Sequence, residues 1–111
     1  MIEKIVLDFL NDNLTVPGFM EENSKMPRKY VIIEKTGGGV SEYLKRATIV
    51  IQSYADTLYE AAVLNENVKD VMEHIADIDD ITKCSLNSDY NFTDTTRKKY
   101  RYQSVFDVTY Y

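Results

Sequence analysis

The sequence has no tryptophan, one cysteine, one histidine and two prolines, and three of its four glycines are consecutive, at 37–39. A single thiol, Cys84, cannot close an internal disulfide, which suits a reducing compartment. One cysteine and one histidine are too few for a zinc site. His74 would need a neighbouring nucleophile for dyad or triad chemistry, and Cys84 falls on the apolar side of its expected strand. No catalytic, cofactor or metal residue is therefore expected. No apolar run approaches the ~20 residues a membrane span needs. The opening MIEKIVLDFLNDNL is amphipathic and carries acids, unlike the apolar centre of a secretion signal. The N-x-T triplets at Asn13 and Asn91 then read as chance matches to a glycosylation acceptor. Basic charge is short as well, with 13 Lys and Arg against 18 Asp and Glu. A net −5 argues against tight binding of DNA or RNA, which needs a basic footprint.

Two local patterns resemble ligand loops and fail on spacing. DIDD at 77–80 suggests calcium, but that loop needs Gly at its sixth place and Glu at its twelfth, which hold Thr82 and Ser88. KTGGG follows a strand as phosphate loops do, but Lys35 precedes the glycines and a second strand follows them. The expectation is a flexible hairpin tip at Gly37, Gly38 and Gly39.

What the chain does contain is 44% hydrophobic and 28% charged residues over 111 positions, the profile of one folded domain, 1–111. Ile2, Ile5, Val6, Phe9 and Leu10 keep helical spacing and predict a helix over 2–13. Pro17 and Gly18 end it, and a short extended piece is expected near 19–21. YVIIEKT predicts a strand over 30–36, and SEYLKRATIVIQSYA returns as its hairpin partner. Apolar residues mark both faces of this hairpin, so its second face should be covered, by the first helix or by another subunit. Thr57 and Glu60 form a capping-box pair, with Asp56 as an alternative cap, for a helix reaching about residue 76 or ending earlier. TKCSLNSDY predicts a strand. So does RKKYRYQSVFDVTYY, in which Tyr100, Tyr102, Phe106, Val108 and Tyr110 share one parity; it is expected at or near the sheet edge. The fold class is α+β, ordered α-β-β-α-β-β: a mostly antiparallel four-stranded sheet with helices on one face.

Charge is segregated. From Asp56 to Asp80 eight acids face Lys69 alone, a local −7 that leaves the remainder at +2. Arg97, Lys98, Lys99 and Arg101 crowd the start of the closing strand. Both regions could be solvated in a monomer, or one could meet the other across a head-to-tail contact. Nine tyrosines suit half-buried sheets and protein interfaces.

Nearly end to end, the sequence resembles the tail terminator, or tail-completion, family of long-tailed bacteriophages and prophages. The likeness lies in MIEKIVLDFLNDNLTVPGFMEE, in YVIIEKTGGG, in IQSYADTLYEAAVLNENVKDVM and in LNSDYNFTDTTRKKYRYQSVFDVTYY. It rests on order and spacing; none of these is a catalytic motif. The resemblance implies a subunit of a ring, typically a hexamer, that caps the finished tail tube and meets the head connector. It would be made in the host cytoplasm and reside in the virion tail, with itself, the tube protein and the connector protein as partners. It implies neither a cofactor nor sequence-specific nucleic acid. Candidate interface residues are Lys35, Gly37, Gly38 and Gly39; Glu60, Asp70 and Glu73 on the acidic helix; and Arg97, Lys98, Lys99 and Arg101. Another head–tail joining protein, a connector or head-closure component, is the alternative. A small enzyme or ligand-binding domain would need a pocket of convergent polar groups.

Overall fold

Ile2, Val6 and Leu10 recur about once per helical turn, and their joint burial sets helix α1, Ile2–Asn13. The computed structural model describes every residue, Met1–Tyr111. After Pro17 the chain forms a two-residue strand, β1, Gly18–Phe19. It then crosses a polar loop and enters β2, Tyr30–Ser41. β3, Leu44–Ala55, returns antiparallel. Helix α2, Leu58–Met72, starts where the Thr57 hydroxyl accepts the Glu60 N–H at 3.1 Å. The α-helix stops at Met72 and a single 3₁₀ turn follows, Ile75–Asp77. This is the earlier of the two expected ends, consistent with carboxylates opposing the helix dipole at its C-terminus. Strands β4, Ile81–Asn91, and β5, Tyr100–Tyr110, complete the chain.

The α+β class stands, as one domain with both helices against one face of the sheet. The sheet has five strands rather than four, in the order β1-β2-β3-β5-β4. It is mixed, because β1 runs parallel to β2, pairing Gly18 with Val31 and Phe19 with Ile32. Gly18 is closely packed there: a Cβ on it would lie 3.1 Å from Val31 Cγ2 and 3.2 Å from Leu7 Cδ1, so those side chains would have to shift by a few tenths of an ångström. β5 lies one strand in from the edge, antiparallel to both β3 and β4. β3 and β4 therefore run the same way, joined across the sheet by α2.

Between helices and sheet lies the main core. It contains Ile2, Val6 and Leu10 from α1; Leu64, Val68 and Met72 from α2; Val31, Ile33, Ile49 and Ile51 from the hairpin; and Phe106 and Val108 from β5. A second, smaller cluster sits on the opposite face: Tyr30, Ile32 and Tyr54 beneath Phe19 and Met26. This resolves the poor alternation of the hairpin. Val31 and Ile33 face the helices, while Tyr30 and Ile32 face the chain between β1 and β2. The second face is thus covered by that segment, not by α1.

One expectation is overturned outright. Gly37–Gly39 form no reversal: β2 runs straight through them, pairing Gly37 with Thr48, Gly38 with Ala47 and Gly39 with Arg46. No glycine has positive φ. A bulge at Thr36 absorbs one residue between Lys35 and Gly37. The reversal comes later, at Glu42 and Tyr43, with φ of 51° and 74°.

The molecule measures 44 × 25 × 24 Å. Twelve extended residues at about 3.3 Å each nearly fill the long dimension, so β2 and β3 run the length of the particle. From Glu34 to Ser41 every residue of β2 is exposed. This half of β2 is an exposed arm along the sheet edge, while its β3 partners stay paired with β5.

Candidate interaction surfaces

Three surfaces carry the residues singled out from sequence. The first is built around a residue that sequence reading missed. Glu22, in the chain between β1 and β2, accepts the Tyr30 hydroxyl at 3.1 Å and Lys99 Nζ at 2.9 Å, and Arg97 Nη2 stands 3.6 Å away. Burial alone would raise its pKa; the hydrogen bonds from Lys99 and Tyr30, with the Lys99 charge, outweigh burial and lower it. Tyr30 stacks on Tyr54 at 4.6 Å between centroids, with planes 10° apart. The Tyr54 hydroxyl donates to Gln52 Oε1 at 3.1 Å and accepts Arg101 Nη1 at 2.9 Å. Burial raises the pKa of both phenols, so both stay protonated as donors. Arg101 also donates Nε to the Phe92 carbonyl at 2.6 Å and lies 4.5 Å from the Phe92 ring. A shallow depression of about 430 Å³ opens beside this cluster, bordered by Met26, Arg28, Tyr30, Tyr54, Lys98 and Lys99.

The basic run is therefore split. Arg97 and Lys99 hold the covering segment through Glu22, and Arg101 is occupied by the Tyr54 hydroxyl and the Phe92 carbonyl. Lys98 makes neither an ion pair nor a side-chain hydrogen bond; it sits in the β4–β5 turn with φ of 55°. Asp94 shapes that turn by accepting the N–H groups of Thr96 and Arg97, each at 3.1 Å.

The second surface is the outer side of α2. Glu60 lies 3.8 Å from Lys29. Lys69 bridges Glu66 at 2.9 Å and Asp89 of β4 at 3.3 Å, and Asp89 also accepts from the buried Asn65. The Glu66 hydrogen bond and the Asp89 contacts raise the Lys69 pKa despite partial burial. Asp70 and Glu73 are exposed and have no cation within 4.0 Å. Where α2 meets the chain after α1, Thr15, Val16, Tyr59, Val63, Leu64 and Asn67 border a groove of about 270 Å³. Tyr59 is 77% exposed and Val63 42%.

The third surface is the arm. Lys35 has no ion-pair partner, and its Cε lies 3.0 Å from where a Gly38 Cβ would be; the Arg46 carbonyl lies 3.1 Å from that point. Gly38 thus admits the Lys35 chain rather than making a turn, and Gly39 faces open space. At the tip Val40 is 74% and Tyr43 97% exposed. A two-residue reversal needs positive φ at both positions and prefers Asn-Gly. Glu42 and Tyr43 meet that demand at a cost of about 1–2 kcal/mol each, the penalty for a side chain in the left-handed region. Sequence inspection could have found the tip only by continuing strand parity past the glycines, which places the reversal at Glu42–Tyr43.

Lys35 and Gly37–Gly39 thus share the arm, and Glu60, Asp70 and Glu73 share α2. The basic run lies on the other face of the sheet from α2. Burial, with the nearby Asp107 charge, pushes the Cys84 thiol up to about 11, the state of an unreactive cysteine. No three His, Cys, Asp or Glu side chains converge on a point where a metal ion could sit.

No family model matches the chain, and no curated protein matches it significantly.

Proposed function

We propose that this protein is a structural subunit that works by docking: a ring-forming tail terminator of a long-tailed bacteriophage or prophage. In this role it caps the tail tube and meets the head connector. The observation that carries the reading is the arm, an exposed run of β2 leading to a strained tip that presents Val40 and Tyr43 to solvent. Strain and exposed apolar side chains together mark a surface that is completed by another protein. The sequence resemblance supplies the setting. The unpaired carboxylates of α2 add a negative face suited to orienting a partner or to lining a channel that DNA must traverse.

Deleting the gene from its phage or prophage separates the two head–tail readings. A terminator leaves tails of uncontrolled length by electron microscopy. A connector or head-closure protein leaves tails of normal length detached from filled heads, and that outcome would replace this reading with the alternative. Normal virions would remove both.

Of the basic run, Lys98 is the residue free to meet another chain. Lys98→Glu should leave stability within about 0.5 kcal/mol of wild type, as for a surface position without partners, and slow assembly at low salt more than at high salt. Lys99→Glu should lower stability by removing the Glu22 cation. Light scattering during assembly, paired with thermal melts, distinguishes the two; equal assembly at every salt concentration would return Lys98 to a solvated turn.

A further inference from the structure

We infer that the arm tip of one copy, Tyr43 with Val40, seats in the groove between α2 and the Thr15–Val16 segment of the next copy. The inference deepens the ring reading and rests on it for the number of copies. The two elements lie at opposite ends of the same ladder. The tip projects beyond the Lys45↔Tyr110 pair. The groove adjoins the other end, where Ala55 pairs with Tyr100 and leads through Thr57 into α2. Eleven paired residues at about 3.3 Å place them roughly 35 Å apart, so a tip cannot reach the groove of its own chain. A contact between unlike ends is heterologous, the kind that closes into a ring when the rotation between copies allows it.

The two surfaces match in size and charge. The groove holds about 270 Å³, room for one aromatic side chain, and its border includes Val16, Val63 and Leu64 with the Tyr59 ring alongside. Tyr43 supplies such a ring at 97% exposure, and Val40 stands beside it at 74%. Beside the tip, Lys45 and Arg46 have no carboxylate within 4.0 Å and outnumber the one acid there, Glu42. The groove's border carries Glu60 and Lys29, 3.8 Å apart and both partly exposed. Apolar centre and charged rim are the anatomy of a specific protein contact.

The test uses the full chain, with and without purified tail tubes, followed by native mass spectrometry and light scattering. The double variant Glu42→Asn/Tyr43→Gly removes the ring and supplies the relaxed turn sequence. It should keep or raise the melting temperature while weakening self-association at least tenfold, and Tyr43→Phe should retain association. Independently, in a Cys84→Ser background, protein carrying Tyr43→Cys is mixed with protein carrying Val63→Cys. A disulfide joining the two species is expected under mild oxidation, with no intramolecular bond in a chain carrying both. If copies associate but the double variant associates equally and no mixed disulfide forms, the tip-in-groove contact is wrong and the ring reading survives. If wild type neither self-associates nor assembles on tubes, the ring reading falls and the contact with it.

Discussion

Phe106→Ala is expected to lower the free energy of unfolding by about 3–5 kcal/mol, the range for deleting a buried aromatic ring. Phe106 lies in the interior strand β5, is 3% exposed, and pairs with Ile49 on one side and Leu86 on the other. It belongs to the same buried cluster as Val68 and Met72 of α2. Buried neighbours from β3 and α2 surround the site, so the vacancy is expected to close only in part. A domain of this size is stable by about 5–15 kcal/mol, so the loss removes much of the total. At about 4–8 °C per kcal/mol for a somewhat smaller domain, the melting temperature should fall by well over 10 °C. Leu86→Ala is the control: Leu86 is directly opposite Phe106 but 44% exposed on the edge strand. Its cost should stay near 1 kcal/mol. Urea titrations giving equal losses for the two would show that the core is not centred on β5.

The second large effect concerns Glu22. Glu22→Ala should cost about 2 kcal/mol, since hydrogen bonds to charged groups contribute about 1.5–3 kcal/mol. It leaves Lys99 and the Tyr30 hydroxyl without their acceptor. The loss should be local in its consequences. Residues 20–29 would open first, exposing Tyr30, Ile32 and Tyr54, which amide exchange should report ahead of any change in the main core. The pH dependence has a definite sign. The folded-state pKa of Glu22 lies below its ordinary value of 4.5. Its contribution is therefore fully present above 4.5 and is lost as pH falls through the lower folded value. Wild type and Glu22→Ala should differ at pH 7 and converge once the pH has fallen below the folded-state value, when the carboxylate is protonated in both states. A constant difference across that window would mean that Glu22 acts through packing and not through charge.

The helices and the strand parities were legible in the sequence because each has a strong local signal. Ile2, Val6 and Leu10 repeat at helical spacing. Thr57 and Glu60 mark a helix start. Phe106, Val108 and Tyr110 alternate with polar neighbours. The failures were nonlocal. Three glycines normally signal a reversal, but the ladder to β3 supplies each with a paired neighbour and overrides their freedom. The actual turn at Glu42–Tyr43 carries no turn residue, so nothing local announces it. Glu22 and Lys99 are 77 positions apart; a charge pattern shows that a lysine is cationic and says nothing of which carboxylate it meets. The basic run thus looked free in sequence, although three of its four members are held at home. The groove by Val16 and Val63 arises only when α1 and α2 are set side by side.

The position of β5 has a consequence for how the chain is made. β3 and β4 flank it and do not pair with each other, so β4 has no strand partner and β3 has only β2 until residues 100–110 emerge from the ribosome. A nascent chain short of Tyr100 holds a hairpin and two helices with Phe106 and Val108 missing from their apolar floor, a state that invites aggregation or chaperone capture. Completion of the sheet thus waits for β5, when one strand slides between two waiting ones and closes the structure in a single long-range step.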